Sequence, residues 1–422
     1  DSNSDGVGDL QGIIEKIDYL EDLGIGSVWL NPIYESPFVD MGYDVSDYYK
    51  IKPVFGDFSD FKMLVNELHK RRIRLIMDFV PNHTSDQHEW FLASEDPNHE
   101  LHEKYKDYYV WKEANYNGTE NCPQNLKDNN GVPYPNNWVS AFGGPAWKWS
   151  DKRQMFYLHQ FLEAQPDLNL EHSYVVQELV DILDFWLNLG VDGFRLDAVA
   201  LSHEAQHFRD EYPTNSSLNG VYCSSDQSES SDLHHDFTKN QPGMHDMLER
   251  FRDKLLEYSK EPGVDKIMIT EAYDFEPKSI SRYYGTRNSL EASFPFNFWI
   301  LDYWAGTWKS GSNSVIDPNK LDPDFTWSAE QFAKDIVEGW LKAPKEEPNI
   351  YSDREWPNWV IGNHDNPRIV NRTNEKFSKS LAVLLLTLPG TQTLYYGDEI
   401  GMVDVDVISN SDNAGENRDR ER

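Results

Sequence analysis

Val191-Asp-Gly-Phe-Arg-Leu-Asp197 is a short apolar run that ends in a carboxylate, and its spacing decides how the rest of the chain reads. A short run of this kind between amphipathic stretches reads as a buried parallel β-strand. Residues i and i+2 of a strand share a side, so Arg195 and Asp197 point the same way. A guanidinium held there would keep Asp197 ionised at neutral pH. Runs of the same kind recur at residues 26–30, 73–79, 266–271, 359–362 and 393–396, with a weaker one over 290–298. Between them, residues 10–23, 58–71, 175–189, 245–258 and 329–341 carry apolar side chains at three- and four-residue steps, the mark of amphipathic helices.

Strands and helices alternating in this way form parallel βα units, which close into an eight-stranded barrel or spread into a doubly wound sheet. Seven recognisable strands favour a barrel that is incomplete at its ends. The connection between Asp78 and Ser173, about ninety residues rich in Asn, Pro, Trp and Tyr, is too long for a structureless loop and is expected to be a folded insertion. Residues 216–236, dense in Ser, Asp and His, read as an exposed loop.

The composition narrows the function. The 422 residues are 39% hydrophobic and 26% charged, with 72 acidic against 39 basic side chains and a formal net charge of −33. Such a chain repels phosphate backbones and anionic membranes, so no nucleic-acid partner is expected. The longest nearly unbroken apolar run, 381–388, falls well short of the roughly 20 residues that cross a bilayer. A membrane would enter only through an anchor outside this segment, which reads as part of a longer protein. Two cysteines, Cys122 and Cys223, exclude a Cys-cluster zinc site and leave their own pairing open. Sequons at Asn117, Asn215 and Asn371 suit an extracellular glycoprotein or a membrane-anchored ectodomain.

In a parallel barrel the reactive groups gather at the carboxyl ends of the strands. Here those ends carry Asp78, Asp197, Glu271 and Asp365, with His83, His364 and Arg195 beside them. Any one of these reads equally well as a helix cap or a structural ion pair. The set does not, because burying so much charge is unfavourable without a use for it. Paired carboxylates at such a rim point to glycoside hydrolysis, in which one protonates the leaving oxygen and another attacks or supports the anomeric carbon. A metal-dependent hydrolase would need ligands at fixed spacing, which the two rim histidines do not have. Separately, Asp1-Ser-Asn3-Ser-Asp5-Gly-Val7-Gly-Asp9 places oxygen ligands at alternate positions, as a calcium loop does, although Gly12 stands where an EF-hand has Glu.

Four segments resemble the signature regions of the α-amylase family of glycoside hydrolases, in the family's order. They are Asp78-Phe-Val-Pro-Asn-His83-Thr, Gly193-Phe-Arg-Leu-Asp197, Thr270-Glu271-Ala-Tyr and Gly362-Asn-His364-Asp365. Gln165-Pro-Asp-Leu-Asn169 is similar to a region that marks the oligo-1,6-glucosidase and maltase branch. The resemblance implies an α/β fold, a (β/α)8 TIM barrel truncated at both termini with a long insertion after its third strand. Residues 1–83 and 173–422 would form the catalytic barrel and 84–172 the inserted domain, with the family's C-terminal β domain absent from this segment. It also implies Asp197 as nucleophile, Glu271 as acid/base and Asp365 as the stabilising carboxylate of a retaining reaction. Asp40, Tyr43, His83, Arg195 and His364 match the positions that hold the non-reducing glucose, and Arg422 matches a further ligand. Ala198 after the nucleophile resembles the smaller residue of maltases that prefer α-1,4 links. The opening loop is similar to the branch's structural calcium site, with Asp1, Asn3, Asp5 and Asp9 giving side chains and Val7 its carbonyl.

An exo-acting α-glucosidase with a small oligosaccharide substrate follows. The alternative is the ectodomain of a heteromeric amino-acid transporter heavy chain, with a light chain as partner, because residues 235–246 and Glu261-Pro-Gly resemble the heavy chain of cystine and dibasic amino-acid transport.

Overall fold

The computed structural model describes residues 1–118, 126–215, 222–223, 225, 228–260, 264–274, 277–286, 288–301, 329–341, 356–373 and 375–404. The chain divides into two compact units, Asp1–Glu271 and Ala272–Arg422.

The first unit opens on two short helices, α1 (Leu10–Ile14) and α2 (Ile17–Asp22). A single helix over 10–23 was expected, but the backbone of Lys16 leaves the helical region at φ −108°, ψ 4° and divides it. Strand β1 (Ser27–Leu30) follows, then the antiparallel pair β2 (Tyr34–Glu35) and β3 (Asp47–Ile51). Helix α3 (Phe58–Lys70) starts in a capping box, with the Asp57 carboxylate accepting from the Ser59 and Asp60 backbone and Asp60 answering to the Asp57 N–H. It buries Phe61, Leu64, Val65 and Leu68, one stripe at helical spacing. Strand β4 (Arg74–Phe79) comes next.

The segment expected to be an insertion, residues 84–172, carries helices α4 (Glu89–Glu95) and α5 (His102–Tyr105) and an antiparallel sheet. Strand β7 (Met155–Leu158) runs between β5 (Trp111–Lys112) and β6 (Trp147–Ser150). Val110, Trp138, Ala146, Trp147, Phe156 and Leu158 form a separate small core beneath it. Trp90, Trp111, Trp138 and Trp147 are all buried here, so these aromatic side chains serve packing.

After helix α6 (Ser173–Asn188), strand β8 (Gly193–Leu196), helix α7 (Gly243–Glu257) and strand β9 (Ile267–Thr270) complete the unit. Strands β1, β4, β8 and β9 lie side by side and parallel. The expected exposed loop over 216–236 is in its described part tied down: Leu233 and Ser228 are buried, Gly144 donates to the Ser228 carbonyl, and Tyr222 donates to Asp232 at 2.7 Å. Cys223 is disulfide-bonded; Cys122 lies outside the described residues.

In the second unit strand β10 is only Phe294–Pro295, much shorter than the expected 290–298. Strands β11 (Asn358–Val360) and β12 (Thr391–Thr393) pair in parallel around the helix Glu375–Thr387, a βαβ unit. The last strand therefore begins two residues before the expected 393–396. The helix expected over 329–341 is α-helical only over Ala329–Lys334 and continues as a π-helix over Asp335–Trp340. Among the described residues no helix is long and apolar enough to cross a membrane.

Candidate active site

Strand register assembles the charged cluster. Asp78 of β4 stands opposite Arg195 of β8, and Leu196 stands opposite Thr270 of β9, which brings the next residues, Asp197 and Glu271, alongside each other. The ladder continues past the strand ends, with Asp197 N–H donating to the Phe79 carbonyl and Glu271 N–H to the Leu196 carbonyl. Because Arg195 and Asp197 are i and i+2, all four side chains fall on one side. Two buried tyrosines brace the end of β4: Tyr34 donates to the Asp78 carbonyl at 2.7 Å and Tyr48 to the Val80 carbonyl at 2.7 Å.

Arg195, 1% exposed, serves three carboxylates at once. Its Nη1 contacts Asp78 Oδ1 at 2.9 Å and also Asp197 Oδ1, and its Nη2 contacts Glu271 Oε1 at 2.7 Å. Glu271 Oε2 accepts from the Ala198 N–H at 2.9 Å. Ala198 adopts the left-handed conformation, φ +49°, to turn the chain there. Asp78 also accepts from Tyr43 at 2.9 Å and from Trp29 Nε1 at 3.2 Å. Burial pushes the Asp78 carboxyl up to about 6 even though Arg195 and Tyr43 pull it down. Burial opposes the charge on Arg195 as well, yet Asp78, Glu271 and Asp197 together hold its pKa well above the ordinary value.

His83 extends the cluster. Asn82 Nδ2 lies 3.2 Å from its Nδ1, while its Nε2 faces the Tyr43 carbonyl at 3.2 Å and Gln165 Nε2 at 3.1 Å. Burial lowers its pKa to about 3. Gln165 Nε2 donates to Asp40 Oδ2 at 2.7 Å and lies 3.1 Å from His83. Asp40, Tyr43, His83, Arg195, Asp197 and Glu271 thus fall in one network of the first unit. Asp365 and His364 belong to the second unit, where Asp365 Oδ1 lies 3.4 Å from His364 Nε2 and Oδ2 accepts from Tyr273 at 3.1 Å. Arg422 lies outside the described residues.

Asp78 was expected at this rim, but Gln165, Trp29 and Tyr273 enter these contacts without having been assigned to them from sequence. For Gln165 the signal was present, since it opens the fifth motif. The pairing of Asp78 with Arg195 and the reach of Tyr273 depend on strand register and packing, which no local pattern reveals.

Behind His83 lies an oxygen-rich junction. Gln160 Nε2 donates to Asp167 Oδ2 at 2.7 Å, to the Leu201 carbonyl at 2.7 Å and to Glu204 Oε1 at 3.0 Å, while Asn82 Nδ2 reaches Asp167 Oδ1 at 3.3 Å. Burial raises Asp167 to about 7 and Glu204 well above the usual carboxylate range. Both carboxyls therefore hold a proton more readily than exposed ones do. In the opening loop, Asp1 accepts from the Asp5 and Gly6 backbone, Asn3 from Asp5, and Asp5 from Val7. The Asp9 carboxylate is engaged by Ser2 and by the Gly12 N–H of α1. Among the described residues no three His, Cys, Asp or Glu side chains converge as a metal cluster.

Comparison with known proteins adds three findings to this geometry. Residues 1–421 match the family model described as alpha amylase, catalytic domain. The salivary alpha-glucosidase of Anopheles gambiae is 38% identical over 96% of this chain and 61% of its own length; the amino acid transporter heavy chain SLC3A1 of Homo sapiens is 38% identical over 95% and 52%. Among solved structures, trehalose-6-phosphate hydrolase of Bacillus licheniformis is 32% identical with a TM-score of 0.74, over 95% of this chain and 62% of that one. The chain therefore spans between half and two-thirds of the length of the relatives it matches. It belongs to the α-amylase family, whose catalytic domain is a (β/α)8 barrel.

Proposed function

We propose that the chain is the catalytic part of a retaining, exo-acting α-glucosidase that removes terminal α-1,4-linked glucose from maltose and short oligosaccharides. One observation carries this reading: a single buried guanidinium holds Asp78, Asp197 and Glu271 together where parallel strands end. A scaffold gains nothing from three carboxylates gathered on one cation, because their desolvation is unfavourable. A glycosidase needs them. Asp197 attacks the anomeric carbon while Glu271, held by the Ala198 N–H, gives its proton to the leaving oxygen. Glu271 then takes a proton from water, which cleaves the glycosyl–Asp197 ester and restores both groups. Asp365 offsets the positive charge of the oxocarbenium-like transition state. Asp40, Tyr43, His83, Arg195 and His364 hold the non-reducing glucose and close the site beyond it, with Arg422 as a further ligand. Residues 84–172 form the inserted domain on the barrel.

The loop from Asp1 to Asp9 is assigned as a structural calcium site, with Asp1, Asn3, Asp5 and Asp9 supplying side-chain oxygens and Val7 its carbonyl. Hard oxygen donors suit that ion, and the turns formed by Asp1, Asn3 and Asp5 hold them within one short loop. The location assigned is extracellular or on a membrane-anchored ectodomain.

A second reading is favoured by the similarity to SLC3A1: the ectodomain of a transporter heavy chain that engages a light chain. Purified full-length protein is expected to release α-glucose from maltose, and Asp197→Asn to abolish turnover without loss of fold. Wild-type protein that folds but does not turn over maltose or an aryl α-glucoside would favour the heavy chain instead.

A further inference from the structure

In the second unit the fourth motif closes a ring of hydrogen bonds. The Asp365 N–H donates to Asn363 Oδ1 at 3.1 Å, Asn363 Nδ2 donates to the Tyr273 hydroxyl at 3.2 Å, and that hydroxyl donates to Asp365 Oδ2 at 3.1 Å. Each donor meets an acceptor, so the direction of the ring is set: the amide proton points at the tyrosine oxygen and leaves the phenolic proton for the carboxylate. Asn363 is 4% exposed, and its Oδ1 also accepts from Asn366 Nδ2 at 2.9 Å, which fixes the amide from the far side. The tyrosine ring needs no hydroxyl to stay where it is. It stacks on buried Phe298 with centroids 4.3 Å apart and planes 14° apart.

We infer that Tyr273 is a positioning residue for Asp365: its hydroxyl pins Oδ2 and so turns Oδ1, the oxygen beside His364, to the sugar. This deepens the glucosidase reading and rests on Asp365 being its stabilising carboxylate. An aspartate held by one oxygen keeps a single rotamer, and a fixed charge stabilises a developing cation without first reorganising. The third motif supplies the device, since Tyr273 follows the acid/base Glu271 by two residues. Motifs three and four then share a purpose beyond each carrying one carboxylate.

The test uses full-length protein with maltose as substrate. Tyr273→Phe keeps the stacked ring and removes the bond. A hydrogen bond to a charged group corresponds to about a 10- to 150-fold fall in kcat, with KM changed less than about twofold. Affinity for a cationic iminosugar should fall by a similar factor, because it presents the positive charge that Asp365 serves. Affinity for neutral glucose should stay within about twofold. Asn363→Ala, which leaves the tyrosine but frees its hydroxyl to rotate, is expected to reproduce the same selectivity at about a third of the size. In an Asp365→Asn background, Tyr273→Phe should have no further effect on iminosugar binding. Equal losses for glucose and iminosugar, or wild-type kcat in Tyr273→Phe, would overturn the inference. If Asp365→Asn itself retains full turnover, the glucosidase assignment of Asp365 fails instead.

Discussion

Arg195 is the residue on which the site depends, and the arithmetic of charge shows why. One guanidinium faces three carboxylates, so the buried cluster keeps a net negative charge even when complete. Its planar fork lets Nη1 and Nη2 serve different partners. A lysine ammonium is a single point and cannot do so. Arg195→Lys is therefore expected to lower kcat/KM by at least about a hundredfold and to destabilise the fold by about 3 kcal/mol, since it leaves buried charge unpaired. Turnover of maltose measures the first effect and thermal unfolding the second. Part of this was legible beforehand: the two-residue period of a strand placed Arg195 and Asp197 on one side. Asp78 as their partner was not, because it stands across the ladder, and register between strands is set by packing rather than by any adjacent residue. Tyr273 lay further out of reach, since its bond to Asp365 crosses 92 positions of sequence.

At the scale of elements, the close fit of β8 against β9 is what brings Asp197 beside Glu271, and Gly193 permits it. A Cβ built on Gly193 would lie 2.9 Å from the Ile267 backbone nitrogen and carbonyl carbon, closer than real side chains come. Gly193→Ala must push the two strands apart at their base. About 2 kcal/mol of destabilisation is expected, read as a fall in melting temperature of about 4–8 °C, and activity should fall with it as Glu271 moves off Arg195. The parallel strands β1, β4, β8 and β9 were readable because each falls in a short, mostly apolar run between amphipathic stretches, and helices α3, α6 and α7 because one stripe faces inward. The division at Lys16 was not, for apolar residues keep their helical spacing through 10–23 while a single backbone turn interrupts it. The antiparallel strands of the insertion escaped for another reason. Two to four residues long, they are too short to show a period, and the aromatic core under them reads no differently from a sugar-binding surface.

For the molecule as a whole, pH dependence follows from buried groups of opposite kind. His83, His88 and His203 are held neutral by burial, with pKa values lowered to about 3, 4 and 4. Each is protonated in the unfolded chain below about 6.5, so its contribution to stability is present above that pH and is lost as pH falls toward the folded value. Asp78 and Glu211 behave in reverse, raised by burial to about 6 and 7. They take up a proton in the folded state first, so their contribution is present below about 4 and is lost as pH rises through 6 or 7. Between pH 6.5 and 4 the buried histidines therefore weaken the fold while the raised carboxylates, Asp167 and Glu204 among them, strengthen it. The two sets oppose each other, so unfolding free energy is expected to vary with acid far less steeply than the histidines alone would give. The balance can be tipped either way. His88→Asn keeps an acceptor for the Trp90 N–H at the start of α4 and removes a titrating ring, so the slope should become shallower by about 1.4 kcal/mol per pH unit between 6 and 4.5. Glu211→Gln keeps an acceptor for the Phe237 N–H and removes an opposing carboxyl, so the slope should steepen by a similar amount. Denaturant unfolding at pH 6 and 4.5 tests both. Parallel slopes for the two variants and the wild type would mean that these groups titrate in the folded protein as they do in the unfolded one.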